Sequence, residues 1–191
     1  MTMKVVVITV ALLILPAVAR AEWTVKPFAG LTFGGSHGFV DLDGTSGRSK
    51  PVFGGAIGWR ASSIGVELEV AIDPKRLKGS GDLVVTGRAT NVMVNATWTM
   101  PPWPGPIRTY LTGGIGSVRV AYEDSLDAFT STTTLAAASV GGGVLIPATP
   151  RTEVVADIRY LRTRDGDSVP GGFGEAYLAY WRASAGVLFR F

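Results

Sequence analysis

The chain has 191 residues and no cysteine, so it can hold neither a disulfide nor a thiolate metal site. Its formal net charge is +3, and Lys4 and Arg20 near the N-terminus supply two of those charges, leaving +1 for the rest. So small and dispersed a balance excludes the clustered basic face that nucleic acid requires.

In chain order the first feature is Lys4 followed by an apolar run from Val5 to Leu15, then Pro16 and Ala19-Arg20-Ala21. A charged start, a short apolar stretch and a small-x-small end read as a secretory signal peptide cut after Ala21. The expected domains are therefore a signal peptide over 1–21 and a single mature domain over 22–191. The run is too short for a membrane-spanning helix, and no other long apolar stretch occurs. No cysteine follows it, so a lipoprotein anchor is excluded.

Clusters of Gly, Pro, Asp and Ser divide the remainder into eight alternating stretches. The predicted strands lie near 23–33, 52–60, 63–72, 88–98, 107–122, 134–146, 151–162 and 178–191. Connections after strands two, four and six are short (Ala61-Ser62, the proline-rich Thr99–Pro106, and Pro147–Pro150), while those after strands one, three, five and seven are long. Short turns at one end and long loops at the other, with an even strand number, are the habit of outer-membrane barrels.

Alternate residues of a strand point to opposite faces. Strand three sets Ile64, Val66, Leu68, Val70 and Ile72 against Gly65, Glu67, Glu69 and Ala71. Strand four sets Val92, Val94, Ala96 and Trp98 against Asn91, Met93 and Asn95, and strand seven sets Val154, Ala156, Ile158 and Tyr160 against Glu153, Asp157 and Arg159. Strand two sets Phe53, Ile57 and Trp59 against Ala56 and Arg60; strands five and six are too rich in Gly and Ala to divide. A Lys or Arg turned to lipid near mid-membrane costs roughly 2–4 kcal/mol. The apolar sets are therefore expected to face outward, and Arg60, Glu67, Glu69, Asp157, Arg159, Arg182 and Arg190 to face a lumen, pairing with one another or with Asn91 and Asn95. With both termini periplasmic, Trp23, Trp59, Trp98 and Trp103 fall at the periplasmic strand ends, and Tyr122, Tyr160, Tyr180 and Trp181 fall near the extracellular ends, together with Phe33, Phe53 and Tyr177. These are expected to form two aromatic girdles.

The last segment, Trp181-Arg-Ala-Ser-Ala-Gly-Val-Leu-Phe-Arg-Phe191, is apolar at every second position counted back from Phe191, with Arg190 and Arg182 in the intervening set. This strand, with Tyr110-Leu-Thr-Gly-Gly-Ile-Gly-Ser-Val-Arg-Val, resembles the small eight-stranded outer-membrane proteins of the OmpA/OmpX-like superfamily along the whole mature chain. The resemblance implies an all-β fold, an eight-stranded antiparallel transmembrane up-and-down barrel. It also implies an integral location in the outer membrane of a Gram-negative bacterium. Phe191, Phe189 and Val187 would be the signal read by the barrel-assembly machinery, and the outer-membrane lipids and lipopolysaccharide would be its surroundings. A monomer without cofactor is expected.

Three kinds of site compete for function. An eight-stranded barrel is just wide enough to be filled by its own side chains, so the lumen charges read first as a paired plug and second as a narrow conductance for ions or small solutes. A lipid A-modifying enzyme is the third reading. The single histidine, His37, adjoins Ser36 in the first extracellular loop, and adjacent residues do not present both side chains to one reacting atom, so no catalytic residue is assigned. Asp41-Leu-Asp-Gly-Thr and Asp165-Gly-Asp lack the further ligands of a calcium loop and read as turns, so no metal site is assigned. Lys75, Arg76 and Lys78 in the second extracellular loop stand where lipopolysaccharide phosphates would lie. The glycine clusters Gly113-Gly114 and Gly141–Gly143 open no helix and hold no phosphate-binding loop. The expectation is a non-enzymatic surface protein serving envelope integrity or adhesion through its loops.

Overall fold

The computed structural model describes residues 21–37, 49–78, 86–102, 105–123, 130–164 and 178–191. Their eight strands are β1 (Ala21–His37), β2 (Lys50–Ala61), β3 (Ile64–Lys78), β4 (Thr86–Thr99), β5 (Arg108–Glu123), β6 (Thr130–Thr149), β7 (Thr152–Thr163) and β8 (Leu178–Arg190). Each pairs antiparallel with its neighbours in sequence, and β8 returns to β1 through Val25–Phe189, Ala29–Ala185 and Leu31–Ala183, so the sheet closes into a barrel with no free edge. Closure matters physically: a backbone N–H or C=O left unpaired in hydrocarbon costs several kcal/mol, and a closed barrel pairs them all.

The period-two patterns set the register. Glu67 pairs with Asn95, Leu68 with Val94 and Val70 with Val92 across β3 and β4, so polar meets polar inside and apolar meets apolar outside. Ile64, Val66, Leu68, Val70 and Ile72 are all exposed on the outer wall, as are Val154 and Ile158 of β7. A one-residue slip would reverse every one of these positions. On β5 and β6, where the sequence does not divide the faces, Tyr110, Thr112, Val118 and Val120 and Leu135, Ala137 and Leu145 turn inward. Ile115 and Val140, 72% and 62% exposed, turn outward.

Several strands outrun their predicted ends. β1 continues through Ser36 and His37, which pair with Ala179 and Leu178 beyond a bulge that contains Gly34 at φ 61°. Ser36 and His37 thus belong to a strand rather than to a loop. Lys75, Arg76 and Lys78 likewise lie in β3, the first two within a register shift between Asp73 and Leu77 and the last beyond it. β6 begins at Thr130, because the run Thr130-Ser-Thr-Thr-Thr134 is rich in β-branched residues that suit a pleated strand. The connections 79–85 and 124–129 are therefore shorter than expected, whereas 38–49 and 164–177 are long.

The girdle expectation needs one correction. Trp23 and Trp98 are exposed on the outer wall near its periplasmic end, Trp59 is half-buried there, and Trp181 packs against Tyr160 on the opposite rim with ring centroids 5.2 Å apart. Tyr180, only 1% exposed, points into the lumen instead. It neighbours Trp181 in β8, so the alternation that turns Trp181 to lipid turns Tyr180 inward. Trp103, Tyr177 and the side chain of Tyr122 lie outside the described residues.

Candidate functional site in the lumen

The inward side chains stack in three tiers. At the centre, Arg159 of β7 reaches three carboxylates: Glu67 at 3.0 Å, Glu69 at 3.0 Å and Asp157 at 3.1 Å. Lys26 of β1 meets Glu67 at 2.9 Å, and Arg182 of β8 meets Glu69 at 2.7 Å. Three cations thus face three carboxylates, and all six side chains are buried. The Tyr110 hydroxyl donates to Asp157 at 2.8 Å and the Ser184 hydroxyl at 2.6 Å, so Asp157 is held from three strands. Arg182 also lies over the Phe28 ring, 4.9 Å from its centroid. Buried charges are tolerated when they are paired and their remaining lone pairs are occupied, and this arrangement meets both conditions at most of its atoms.

The periplasmic tier is built around Glu153, which is fully buried and receives both Arg60 (3.3 Å) and Arg108. Tyr110, Leu145, Val155 and Leu188 pack between it and the central network. The extracellular tier is mostly apolar: Ala89, Met93, Val118, Val120, Ala137, Leu161, Leu178 and Tyr180 form one buried cluster. Its polar tip, the Tyr180 hydroxyl, accepts a hydrogen bond from Asn91 at 2.8 Å. On the other side of the lumen Thr32 donates to buried Asp73 at 3.4 Å.

Room for the Arg159 guanidinium comes from the glycines facing it. A Cβ at Gly141 would sit 2.8 Å from the Arg159 Cγ, and one at Gly143 would sit 2.7 Å from the Asp157 Cβ. The β6 wall opposite these two residues must therefore be bare backbone. Two cavities in the lumen hold about 20 Å³, beside Arg60 and Tyr110, and about 10 Å³, beside Arg159 and Ser139. Each suffices for about one water molecule.

Of the residues singled out in the sequence, Glu67, Glu69, Asp157, Arg159 and Arg182 come together at the centre, while Arg60 sits one tier below with Glu153. Arg190 stands at the periplasmic mouth, partly exposed, 3.6 Å from Glu22 and donating to the Pro150 carbonyl. Asn91 and Asn95 bond to Tyr180 and Ser139 rather than to ions. Val187, Phe189 and Phe191 follow one another on the outer wall, with Phe191 76% exposed and its amide bonded to the Trp23 carbonyl. Ala21 opens β1 opposite Ala61. Asp41, Asp43, Asp165 and Asp167 lie outside the described residues. Lys26, Arg108, Glu153 and Tyr110 complete the charge network. Lys26 was within reach of sequence reasoning, since Thr24, Lys26 and Phe28 alternate with Trp23 and Val25; Glu153 had its face assigned but no partner.

Residues 6–191 match the family described as outer membrane protein beta-barrel domain. The chain belongs to this family. It is an integral outer-membrane barrel, and its apolar outer wall meets lipid. Among solved structures it is similar to neisserial surface protein A, NspA, at 16% identity with a TM-score of 0.68, covering 90% of this chain and 99% of that one. The N-terminal β-barrel domain of Pseudomonas aeruginosa OprF gives 15% and 0.58, with 89% and 97% covered. Ail, the attachment invasion locus protein of Yersinia pestis, gives 13% and 0.50, with 88% and 98% covered. Identities this low speak for the fold alone. Comparison with curated proteins gives no match.

Proposed function

We propose that this protein is a non-enzymatic, non-conducting barrel whose task is to hold its extracellular loops at the cell surface, in a role of envelope integrity or adhesion. The observation that carries the reading is the filled lumen. A hydrated ion must displace a chain of side chains that runs from the Glu153 tier through Arg159 to Tyr180, and the two cavities beside them hold only about 20 and 10 Å³. Opening that path strands buried charges, at about 3–5 kcal/mol for each pair broken, so the closed state dominates at rest. The non-enzymatic part of the reading is supported by the sequence, in which the single histidine, His37, directly adjoins Ser36. NspA is named a surface protein and Ail an attachment protein, in keeping with this reading though not a basis for it.

Planar-bilayer recording of the purified, folded protein is the test. The expected result is a silent membrane across the usual voltage range. Reproducible conductance steps that vanish when the protein is heat-unfolded would replace this reading with that of a narrow channel.

A further inference from the structure

The outer wall is not uniform around its extracellular rim. On the β8-β1-β2-β3 side it carries Trp181, Phe33, Leu31, Phe53 and Ile72, all exposed and apolar. On the β4-to-β7 side the outward positions at or just beyond this level include Arg88, Arg119, Arg162 and Arg164, all exposed. Each stands in phase with outward residues of its own strand: Arg88 with Val92 and Val94, Arg119 with Ile115, Arg162 with Ile158 and Tyr160. Among the residues whose side chains are described, no carboxylate pairs with any of the four.

Their height explains how the barrel tolerates them. From Trp98 at the periplasmic girdle to Arg88, the rise along β4 is about 25 Å at ~3.3 Å per residue and a tilt of ~40°. Arg88 therefore tops the apolar band. Arg162 is the next outward residue of β7 beyond Tyr160, whose contact with Trp181 marks the same rim. Outward arginines cost little at that level.

Beneath them lies an apolar groove of about 890 Å³ whose lining includes Val94, Ile115, Ala136, Ala138, Arg162 and Arg164. It exists because β6 contributes alanines to the outer wall between the larger Ile115 and the flanking arginines. The register places Ala138 beside both Ile115 and Arg162, and Arg164 donates its amide to the Ala136 carbonyl at 2.8 Å. The arginines are thus fixed at the mouth of the groove.

We infer that this sector is a binding site for a phosphorylated, acylated lipid of the outer leaflet, a lipopolysaccharide lipid A, with acyl chain in the groove and phosphates on the arginines. Charge decides the occupant. Four cations near the extracellular rim call for an anion, and their spread from β4 across to β7, at ~4.8 Å per strand, suits a headgroup with more than one phosphate. A guanidinium binds phosphate through paired N–H donors, so arginine is the apt residue. Lys78 pairs in register with Thr86 of β4, so the end of β3 adjoins the Arg88 edge of this sector.

The test uses the folded protein in detergent, titrated with bisphosphorylated lipid A, with the same lipid after phosphate removal, and with inorganic phosphate. Wild-type protein should bind the bisphosphorylated lipid at least tenfold more tightly than the dephosphorylated one, and millimolar inorganic phosphate alone should not displace it. Arg162→Gln with Arg164→Gln should weaken binding at least tenfold, and adding Arg88→Gln and Arg119→Gln should weaken it further. Heat-modifiable migration verifies that each variant is folded. Ala138→Trp, which fills the groove and leaves every arginine in place, should also weaken binding, while Arg151→Gln at the periplasmic turn should change nothing. Equal affinity of the folded quadruple variant and wild type would overturn the site. So would indifference to phosphate removal, full displacement by inorganic phosphate, or a groove that proves to be occupied by a second copy of the chain.

Discussion

Arg159→Met is the perturbation the lumen should feel most. It preserves much of the side-chain volume and removes the one cation that touches Glu67, Glu69 and Asp157 together. Afterwards Glu67 keeps Lys26 and Glu69 keeps Arg182, but Asp157 retains only the Tyr110 and Ser184 hydroxyls. Two cations then face three carboxylates, all of them buried in the lumen. Breaking a buried pair by removing one partner costs about 3–5 kcal/mol, and this change strands one such carboxylate. With a urea m-value of about 2 kcal/mol/M, the unfolding midpoint should fall by roughly 1.5–2.5 M at unchanged m. The assay is equilibrium unfolding in detergent micelles followed by tryptophan fluorescence. Adding Asp157→Asn rebalances the charges, so the double variant should recover at least ~1 kcal/mol of the loss, a coupling expected of residues in direct contact. A single-variant loss below ~0.5 kcal/mol, or no recovery in the double, would show that water already solvates these ions and that the pairing does not hold the barrel.

Other consequences follow from the remaining tiers and the walls. Glu153→Gln leaves Arg60 and Arg108 facing each other across a buried amide, and should cost about 3–5 kcal/mol in the same assay, whereas Glu22→Gln, which breaks only the partly exposed pair with Arg190, should cost no more than ~1 kcal/mol. Gly143→Leu drives a side chain into Asp157 and its backbone, and should reduce the folded fraction on a heat-modifiability gel while outward Val140→Leu does not. Phe191→Asp replaces the outermost aromatic of β8 by a charge, and should lower outer-membrane yield in cell fractionation without changing expression.

The elements most legible in the sequence are those whose two faces differ chemically. β3 alternates Val and Leu with Glu, and β7 alternates Val and Ile with Asp and Arg, so both the strand and its lumen side can be read from the pattern. β5 and β6 could not be read this way because Gly113, Gly114, Gly141, Gly142 and Gly143 give no contrast. Their faces are decided by the neighbouring strand: Gly141 pairs with Arg159 and Gly143 with Asp157, whose bulk requires bare backbone on β6, a constraint between strands that no local pattern displays. Tyr180 misleads for a different reason. An aromatic beside Trp181 suggests the girdle, yet alternation assigns it inward, where Asn91 satisfies its hydroxyl. Glu153 has an inward face by the same alternation, but its partners Arg60 and Arg108 lie on strands far away in sequence, so the pairing emerges only when the barrel closes. Strands run past their legible ends wherever they continue beyond the apolar band, as at Thr130–Thr134 and Asp73–Lys78, since hydrophobic alternation marks the membrane and not the full ladder.

The central claim is that the lumen is packed and shut, and the absence of native cysteine allows it to be tested directly. Ser139→Cys places a near-isosteric thiol on the lumen wall beside Arg159, and Ser62→Cys places one on the exposed periplasmic turn. With a charged, water-soluble thiol reagent applied to the folded barrel, the account predicts rapid labelling at position 62 and none at 139 until the protein is unfolded. Labelling at 139 in the folded state, at a rate near that of 62, would contradict it.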